Sequence, residues 1–356
     1  MRVLLAGAEE LFNGDYAYFS SFSASWLAHS RAYVHEVVSR FGLDRSSLVV
    51  EVACNDGYLL QYVQDLGIPC VGIEPTRSTA RAARARGLEV IEQFFGTALA
   101  SRLVDGGRQA DLLVANNVLA HVPDINDFVA GFSVLLKPTG VATFEFPHLI
   151  SMVRESQFDT AYHEHFSYLS FTSARRICEA NGLRVFDVQR LPTHGGSLRV
   201  FVQRSDTGEL PDSQNVAALC IEEEAAGVNS APFYAGFQHA AERVKNDFLR
   251  FLLDCRAAGR RVAAYGAAAK GNTLLNFCGV RPDLLAFVAD LNPAKQGRFL
   301  PGSRIPVVDP LALTEARPDY IVLLPWNLRN ELAAQLSHVR EWGGRLVTAV
   351  PRLEVM

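Results

Sequence analysis

From about residue 46 onward, short apolar runs alternate with longer stretches in which apolar positions recur every three or four residues. LVVEVA (48–53) leads through Asp56-Gly57 into YLLQYVQDLG, and PCVGIE (69–74) leads into a basic, alanine-rich stretch ending at Arg86. LEVIEQFF, ADLLVANNVL and GVATFEFP repeat the theme, with INDFVAGFSVLL as an amphipathic helix before Lys137-Pro138. Strand-like runs separated by helices of this length predict a parallel sheet covered on both faces. After the helical FTSARRICEANG come LRVFDVQRL and SLRVFVQR, separated only by PTHGG, which predicts a closing antiparallel pair.

Residues 206–245 change character. DTGELPDSQN is turn-rich and polar, and the Glu/Ala-rich segment after it reads as helix without a strand. From Arg261 the alternation restarts with VAAYGAAAKGNTLLNF, LLAFVAD, RIPVVD, DYIVLLPW and GGRLVTAV. The fold class is therefore α/β, a Rossmann-like core followed by a smaller Rossmann-like domain. The expected divisions are an N-terminal cap (1–45), a first module (46–205), a linker and helical connector (206–245) and a second module (246–356).

Composition narrows the function classes. A chain of 356 residues suits two domains of roughly 100–200 residues. With 49% apolar and 20% charged residues, it has an ordinary globular make-up. A net charge of −4 without a long basic run gives no electrostatic case for nucleic acid. No apolar run reaches the roughly 18 residues of a membrane span. The start, MRVLLAGAEELFNGDY, meets acid too quickly for a signal peptide, so a cytoplasmic protein is expected. The six cysteines are scattered without a CxxC pair, which is neither a zinc site nor a disulfide framework.

Ligands of open α/β sheets sit beyond the carboxyl ends of the strands. In the first module those ends carry Glu51, Asn55, Asp56 and Gly57, then Glu74 and Pro75, then Asn116 and Asn117. A dinucleotide site wants GxGxxG after the first strand, where a pyrophosphate approaches a helix. ACNDG has one glycine and two polar side chains, which suits a ligand lacking pyrophosphate. Glu74 can accept hydrogen bonds from ribose hydroxyls. A nucleoside without phosphate, with a cationic tail near acidic and amide groups, describes S-adenosylmethionine. A helix-capping role for Glu51 and Asp56, with Glu74 solvated, is the plainer alternative.

In the second module YGAAAKGNT (265–273) follows a strand and opens a helix, so small residues let backbone amides approach an anion. Lys270 adds a point charge and Asn272 an amide. Asn292, Gln296 and Arg298 follow the next strand, where a nucleoside or its phosphates can be held. The competing role is a scaffold without a ligand.

DTAYHEHFSYLS (159–170) gathers Tyr162, His163, Glu164 and His165 between aromatics. Three roles fit the row: metal ligation, although HExxH on a helix is absent; a satisfied structural cluster; or acid/base catalysis. The last suits methyl transfer to carbon, because a C–H proton must first leave. That is feasible beside a ketone, with a base for the proton and donors for the oxyanion.

DYAYFSSFSASW, VEVACNDGYLLQ, GIEP, NNVLAHVPDINDF, FDTAYHEHFSYLS, LPTHGGSLRV, GAAAKGNTLLNFCG and LPWNLR, in that order from about Phe12 to about residue 335, resemble the nucleotide-sugar C-methyltransferases of antibiotic deoxysugar pathways. The resemblance implies a class I methyltransferase core with a closing antiparallel strand and a C-terminal Rossmann-like domain for the nucleotide sugar. It implies S-adenosylmethionine as cofactor and a dTDP-linked 4-keto-6-deoxysugar as substrate, methylated commonly at C-3. His165 would be the base, with Tyr162 and Glu164 as partners and His121 and Tyr16 completing the pocket. Asn55, Gly57, Glu74 and Asn117 would contact the methyl donor, and Ala267, Lys270 and Asn272 the nucleotide. Family members usually carry a cysteine-rich zinc module ahead of the DYAYF block, near which this chain begins, so no zinc is expected in it. Cys54 stands where the family more often has a small hydroxyl residue. The enzyme is expected as a monomer or homodimer. An O- or N-methyltransferase of nucleotide sugars and a nicotinamide-dependent sugar-nucleotide dehydrogenase or epimerase are the alternatives.

Overall fold

In the first half of the chain, helices between the parallel strands bury the central strands of the sheet and leave its edge partly in water. The computed structural model describes Gly7 and residues 19–356. It divides into two compact units. One comprises the residues up to Leu149 with His163–Pro192 and Gly196–Val228; the other comprises Ile150–Tyr162, Thr193–Gly195 and Asn229–Met356.

In the first unit a helical turn at Ser20–Phe22 precedes helix α1 (Ala24–Phe41), capped by Ser23, which accepts from the Trp26 N–H at 3.2 Å. Strands β1 (Val49–Val52), β2 (Cys70–Ile73), β3 (Glu89–Ile91), β4 (Ala110–Asn116) and β5 (Leu136–Pro147) follow. Between them lie α2 (Leu60–Asp65), α3 (Arg77–Ala85), α4 (Thr97–Asp105) and α5 (Ile125–Leu135). Helix α6 (Leu149–Arg154) comes next in the chain but from Ile150 belongs to the second unit; α7 (Phe171–Ala180), β6 (Leu183–Leu191), β7 (Ser197–Arg204) and α8 (Gln214–Ala226) complete the first. The sheet order is β3-β2-β1-β4-β5-β7-β6, with β7 antiparallel to both neighbours. This is the class I methyltransferase arrangement, including the expected closing pair. Every residue of β1 is buried, as a central parallel strand requires. One face packs Phe128, Phe132, Phe144 and Phe146, and the other Tyr33, Val34, Tyr58 and Phe201.

The second unit has helices α9 (Ala231–Tyr234), α10 (Phe237–Ala257), α11 (Ala269–Cys278), α12 (Leu311–Ala316) and α13 (Arg329–Gln335). Its strands are β8 (Val262–Tyr265), β9 (Val288–Ala289), β10 (Val307–Val308), β11 (Tyr320–Leu323), β12 (Arg345–Thr348) and β13 (Glu354–Val355), ordered β10-β9-β8-β11-β12-β13. All pairs are parallel except β12 with β13. The long helix α10 buries Val244, Phe248 and Leu252 against Leu274, Leu275 and Val322. Among the described residues, no helix is long and apolar enough to cross a membrane.

A buried acid joins α8 to the start of α7. Glu223 is fully buried and accepts from the backbone N–H groups of Phe171 and Thr172, both at 2.7 Å. The His148 imidazole lies 2.7 Å from the same carboxylate. Burial raises the Glu223 carboxyl, but His148 and the two amides together bring it below its ordinary value. Such a group stabilises the fold above the unfolded value of 4.5, and that contribution is lost as pH falls through the lower folded value. Glu223→Ala is expected to lower stability by about 3 kcal/mol, because it strands buried donors. In urea unfolding, the wild-type midpoint should fall as pH drops below the unfolded value of 4.5, and Glu223→Gln should flatten that fall.

Candidate active site

The loop after β1 is wound tightly. Ala53 and Asn55 have φ of 59° and 49°, and Gly57 has φ of 80°. Left-handed backbone at non-glycine residues costs about 1–3 kcal/mol each and persists only where the surroundings hold it. The surroundings are polar and specific. Glu74, buried at the end of β2, accepts the Asn55 N–H at 2.9 Å through Oε2 and the Thr76 N–H at 2.9 Å through Oε1. Asn55 Oδ1 accepts the Ser20 N–H at 2.9 Å. Asp56 Oδ2 takes the Ser21 hydroxyl and the Arg86 guanidinium. Behind the loop, a Cβ on Gly72 would fall 2.4 Å from Cys54 Sγ, so β2 must be bare there. Pro75 continues the turn after Glu74.

Glu51 lies within β1, fully buried. Burial pushes its carboxyl well above the usual carboxylate range; the Tyr58 hydroxyl works against that, and Asp56 and Glu74 add to it. Burial likewise raises Glu74, against its bonds to Thr76 and Asn55. At the end of β4, Asn116 Oδ1 is buried without a partner, as are both polar atoms of the Asn117 amide. Asn117 has φ of 54° and donates its own N–H to the Glu145 carbonyl at 2.7 Å. Orphaned amides, two carboxyls inclined to stay neutral and a tight loop at three adjacent strand ends fit a nucleoside with a positive charge, because a cation draws such acids into ionised form.

Just beyond β4, the turn Leu119–His121 carries His121. The loop after residue 163 is laid on it, with the Phe166 and Ser167 N–H groups donating to the Ala120 carbonyl at 2.8 and 3.2 Å. The rings of His121 and His165 meet edge-on, centroids 4.7 Å apart, and Tyr168 stands 6.0 Å beyond His165. His165 and Glu164 are half-buried and His163 is exposed. The boundary between the units falls inside the row, after Tyr162. Tyr16 lies outside the described residues.

In the second unit Asp290 organises the strand ends. It accepts the Ala267 N–H at 2.6 Å and the Asn292 N–H at 2.8 Å. Lys295 donates to the Ala267 carbonyl at 3.0 Å, and the Gln296 amide to the Asp290 carbonyl at 2.9 Å. Asn272 accepts from the Asn276 amide at 3.2 Å, and Arg298 is exposed. Lys270 turns inward, its ammonium 3.3 Å from Asn327 Oδ1 and 4.8 Å above the Trp326 ring.

Sequence reasoning missed a buried charge set in the first unit. Glu145, on β5, accepts from Arg199 at 2.7 Å and lies 2.9 Å from the His29 imidazole. Arg199 stacks over Tyr33, 4.2 Å to the ring centroid. His29, Tyr33 and Arg199 border a groove of about 680 Å³ between α1, β6 and α8. The available signal was the charge in the strand runs TFEFP and SLRVFVQR, where alternation alone assigns no partner. Among the described residues, no cluster of three or more His, Cys, Asp or Glu side chains could hold a metal.

Comparison with known proteins gives two consecutive matches. The family described as "Methyltransferase domain" matches residues 26–188, and "C-methyltransferase C-terminal domain" matches residues 192–351. The C-methyltransferase NovU of Streptomyces niveus is 36% identical over 343 residues, covering 96% of this chain and 81% of that one. A ubiquinone biosynthesis O-methyltransferase of Bartonella quintana is 27% identical over 119 residues, 31% of this chain and 48% of its own. The magnesium protoporphyrin IX methyltransferase of Synechocystis aligns with half of this chain and 83% of its own, at 14% identity and a TM-score of 0.41.

The state of Glu51 gives a direct test of the cofactor pocket. Its raised value means that the free protein holds a proton there over a range in which an ordinary carboxyl is ionised. A cation bound alongside favours the ionised form, so binding should release that proton and strengthen as pH rises. Calorimetry with S-adenosylmethionine in two buffers of different ionisation heat should show proton release in the wild type and less of it in Glu51→Gln.

Proposed function

The chain belongs to the C-methyltransferase family, and on that premise we propose that this S-adenosylmethionine-dependent enzyme methylates a ring carbon of a dTDP-linked 4-keto-deoxysugar, at C-3 beside the ketone. The observation that carries the proposal is the edge-on pair of His121 and His165, built beside the strand ends that carry Glu51, Glu74 and Asn117. When bound, S-adenosylmethionine supplies a methyl group on a sulfonium. The protein must then make a carbon nucleophile.

In this reading His165 takes the proton from C-3, and the electron pair left behind spreads onto the C-4 ketone oxygen. A base titrating near neutral pH contributes roughly 10²–10⁴-fold. Donors aimed at the developing oxyanion contribute about 10²–10³-fold each. His121 and Tyr162 are the candidate donors, and Glu164 holds imidazole or sugar hydroxyl in register. Glu51, Asn55, Gly57, Glu74, Pro75, Asn116 and Asn117 hold the methyl donor. Ala267, Asn272, Asn292, Gln296 and Arg298 are the candidates for the nucleotide. Lys270, being engaged with Asn327 and Trp326, supports those residues rather than reaching for phosphate.

The test uses purified protein with S-adenosylmethionine and a dTDP-4-keto-6-deoxysugar in deuterated water. The proton next to the ketone should exchange, and the product should carry a new C–CH₃ bond. A methyl group on oxygen or nitrogen would replace carbon methylation by the O- or N-transfer reading. His165→Asn should lose both exchange and transfer by at least about 10²-fold while binding S-adenosylhomocysteine as the wild type does.

A further inference from the structure

Two short pieces of chain, Ile150–Tyr162 and Thr193–Gly195, belong to the second unit although their sequence neighbours do not. Both end on one side chain of that unit. The Trp326 indole N–H donates to Asp159 Oδ2 at 2.7 Å. Gly195, at φ of 87°, lies flat against the same ring: a Cβ there would fall 2.6 Å from Trp326 Cη2 and 2.6 Å from Gln157 Nε2. Gln157 donates to the Gly195 carbonyl at 2.6 Å, joining the two pieces. Lys270 covers the indole at 4.8 Å, and Phe158 tilts against Phe277 of α11 at 5.0 Å.

Asp159 is fully buried, and its Oδ1 has no partner. Burial raises its carboxyl to about 6, against the pull of the Lys270 ammonium and the Trp326 indole. Burial lowers Lys270, against the pull of Asp159. Lys270 is the only charged residue of α11, and the turn Trp326–Leu328 has none. Lys245 of α10 stands over the Phe277 ring, Arg329 pairs with Glu354, and His194 is the titratable residue of the Thr193–Gly195 turn. A half-satisfied buried carboxylate is a poor stabiliser and is better explained by the geometry it fixes. From Asp159 the chain turns tightly: the Thr160, Ala161 and Tyr162 N–H groups donate to the carbonyls of Gln157, Phe158 and Thr160 at 3.2, 3.0 and 3.1 Å.

We propose that Trp326, Asp159 and Lys270 are positioning residues: the indole–carboxylate bond, with the ammonium over the ring, fixes the turn that delivers the Tyr162 phenol for carbon methylation. This rests on the reaction proposed above. It also gives the GAAAKGN and LPWNLR stretches a joint task, holding the FDTAY segment rather than the nucleotide alone.

The test is a variant series on the full chain. Trp326→Phe keeps the ring and removes the donor; kcat should fall at least tenfold, with affinity for S-adenosylhomocysteine and melting temperature near wild type. Asp159→Asn keeps a carbonyl oxygen for the indole and should retain most activity, whereas Asp159→Leu should match Trp326→Phe. The double variant Trp326→Phe/Asp159→Leu should be no slower than either single one, because both remove the same interaction. Full activity in Trp326→Phe, or losses that multiply in the double variant, would overturn the proposal. Should Trp326→Phe not fold, the contrast between Asp159→Asn and Asp159→Leu decides in the same way.

An observable independent of the reaction separates the two ideas. In ¹⁵N spectra the Trp326 indole N–H should shift with a midpoint near 6 in the wild type and stay constant in Asp159→Asn. A Trp326 indole N–H signal left unmoved by Asp159→Leu would mean that no indole–carboxylate bond exists and would sink the positioning assignment. A titrating indole in a protein that moves no methyl group to the keto sugar would sink the substrate reading and leave the indole–carboxylate couple standing.

Discussion

A buried carboxylate bonded to the backbone of a neighbouring loop is the constraint on which both candidate ligand sites depend. Glu74 at the end of β2 holds the Asn55 N–H, and Asp290 beyond β9 holds the Ala267 N–H. Each also takes the N–H two residues further along its own chain, from Thr76 and Asn292. Leaving a buried N–H without its acceptor costs about 1–3 kcal/mol, enough for the bond to hold a loop in a strained shape. Without Glu74, Asn55 would relax from its left-handed conformation, and the amide that meets Ser20 would move with it. The same device in both units sets where the helix after the first strand begins, and so where its free N–H groups can meet a ligand.

The polar groups in the first unit are arranged with a ligand missing from their balance. Glu51, Glu74 and Asp56 crowd one another, and the amides of Asn116 and Asn117 have polar atoms buried without partners. Elsewhere in the same unit, buried charge is more nearly closed: Glu223 meets His148 and two backbone N–H groups, and Glu145 has Arg199 beside His29, with only Arg199 Nε left unpartnered in those two sets. The open polar atoms concentrate at the three strand ends, which supports a ligand there, since most buried polar atoms are satisfied.

Much of this was legible in the sequence because strand burial leaves a pattern. The runs at 48–53, 69–74 and 110–116 became β1, β2 and β4, and PTHGG connects the antiparallel pair β6 and β7. The strand-end residues followed, since a parallel sheet puts its loops at one edge. Partners across long sequence separations were not legible. Asp159 meets Trp326 across 167 positions, and Glu145 meets His29 across 116. Periodicity reports which face a residue occupies and says nothing of what it meets there. Lys270 illustrates the limit: a cation in a small-residue loop looks aimed at an anion from outside, yet its nearest companions are an indole and an amide of its own unit.

Cys54 sits in the loop after β1, packed on Gly72 and fully buried, with burial first and then Glu51 and Glu74 raising its thiol well above the ordinary range. The thiolate, not the thiol, is the sulfur nucleophile. A protein that stores an electrophilic alkyl donor within its own fold is exposed to self-alkylation at any ionised sulfur nearby. Keeping this one protonated and wedged against bare backbone would make the loop chemically inert toward the reagent proposed to lie against it.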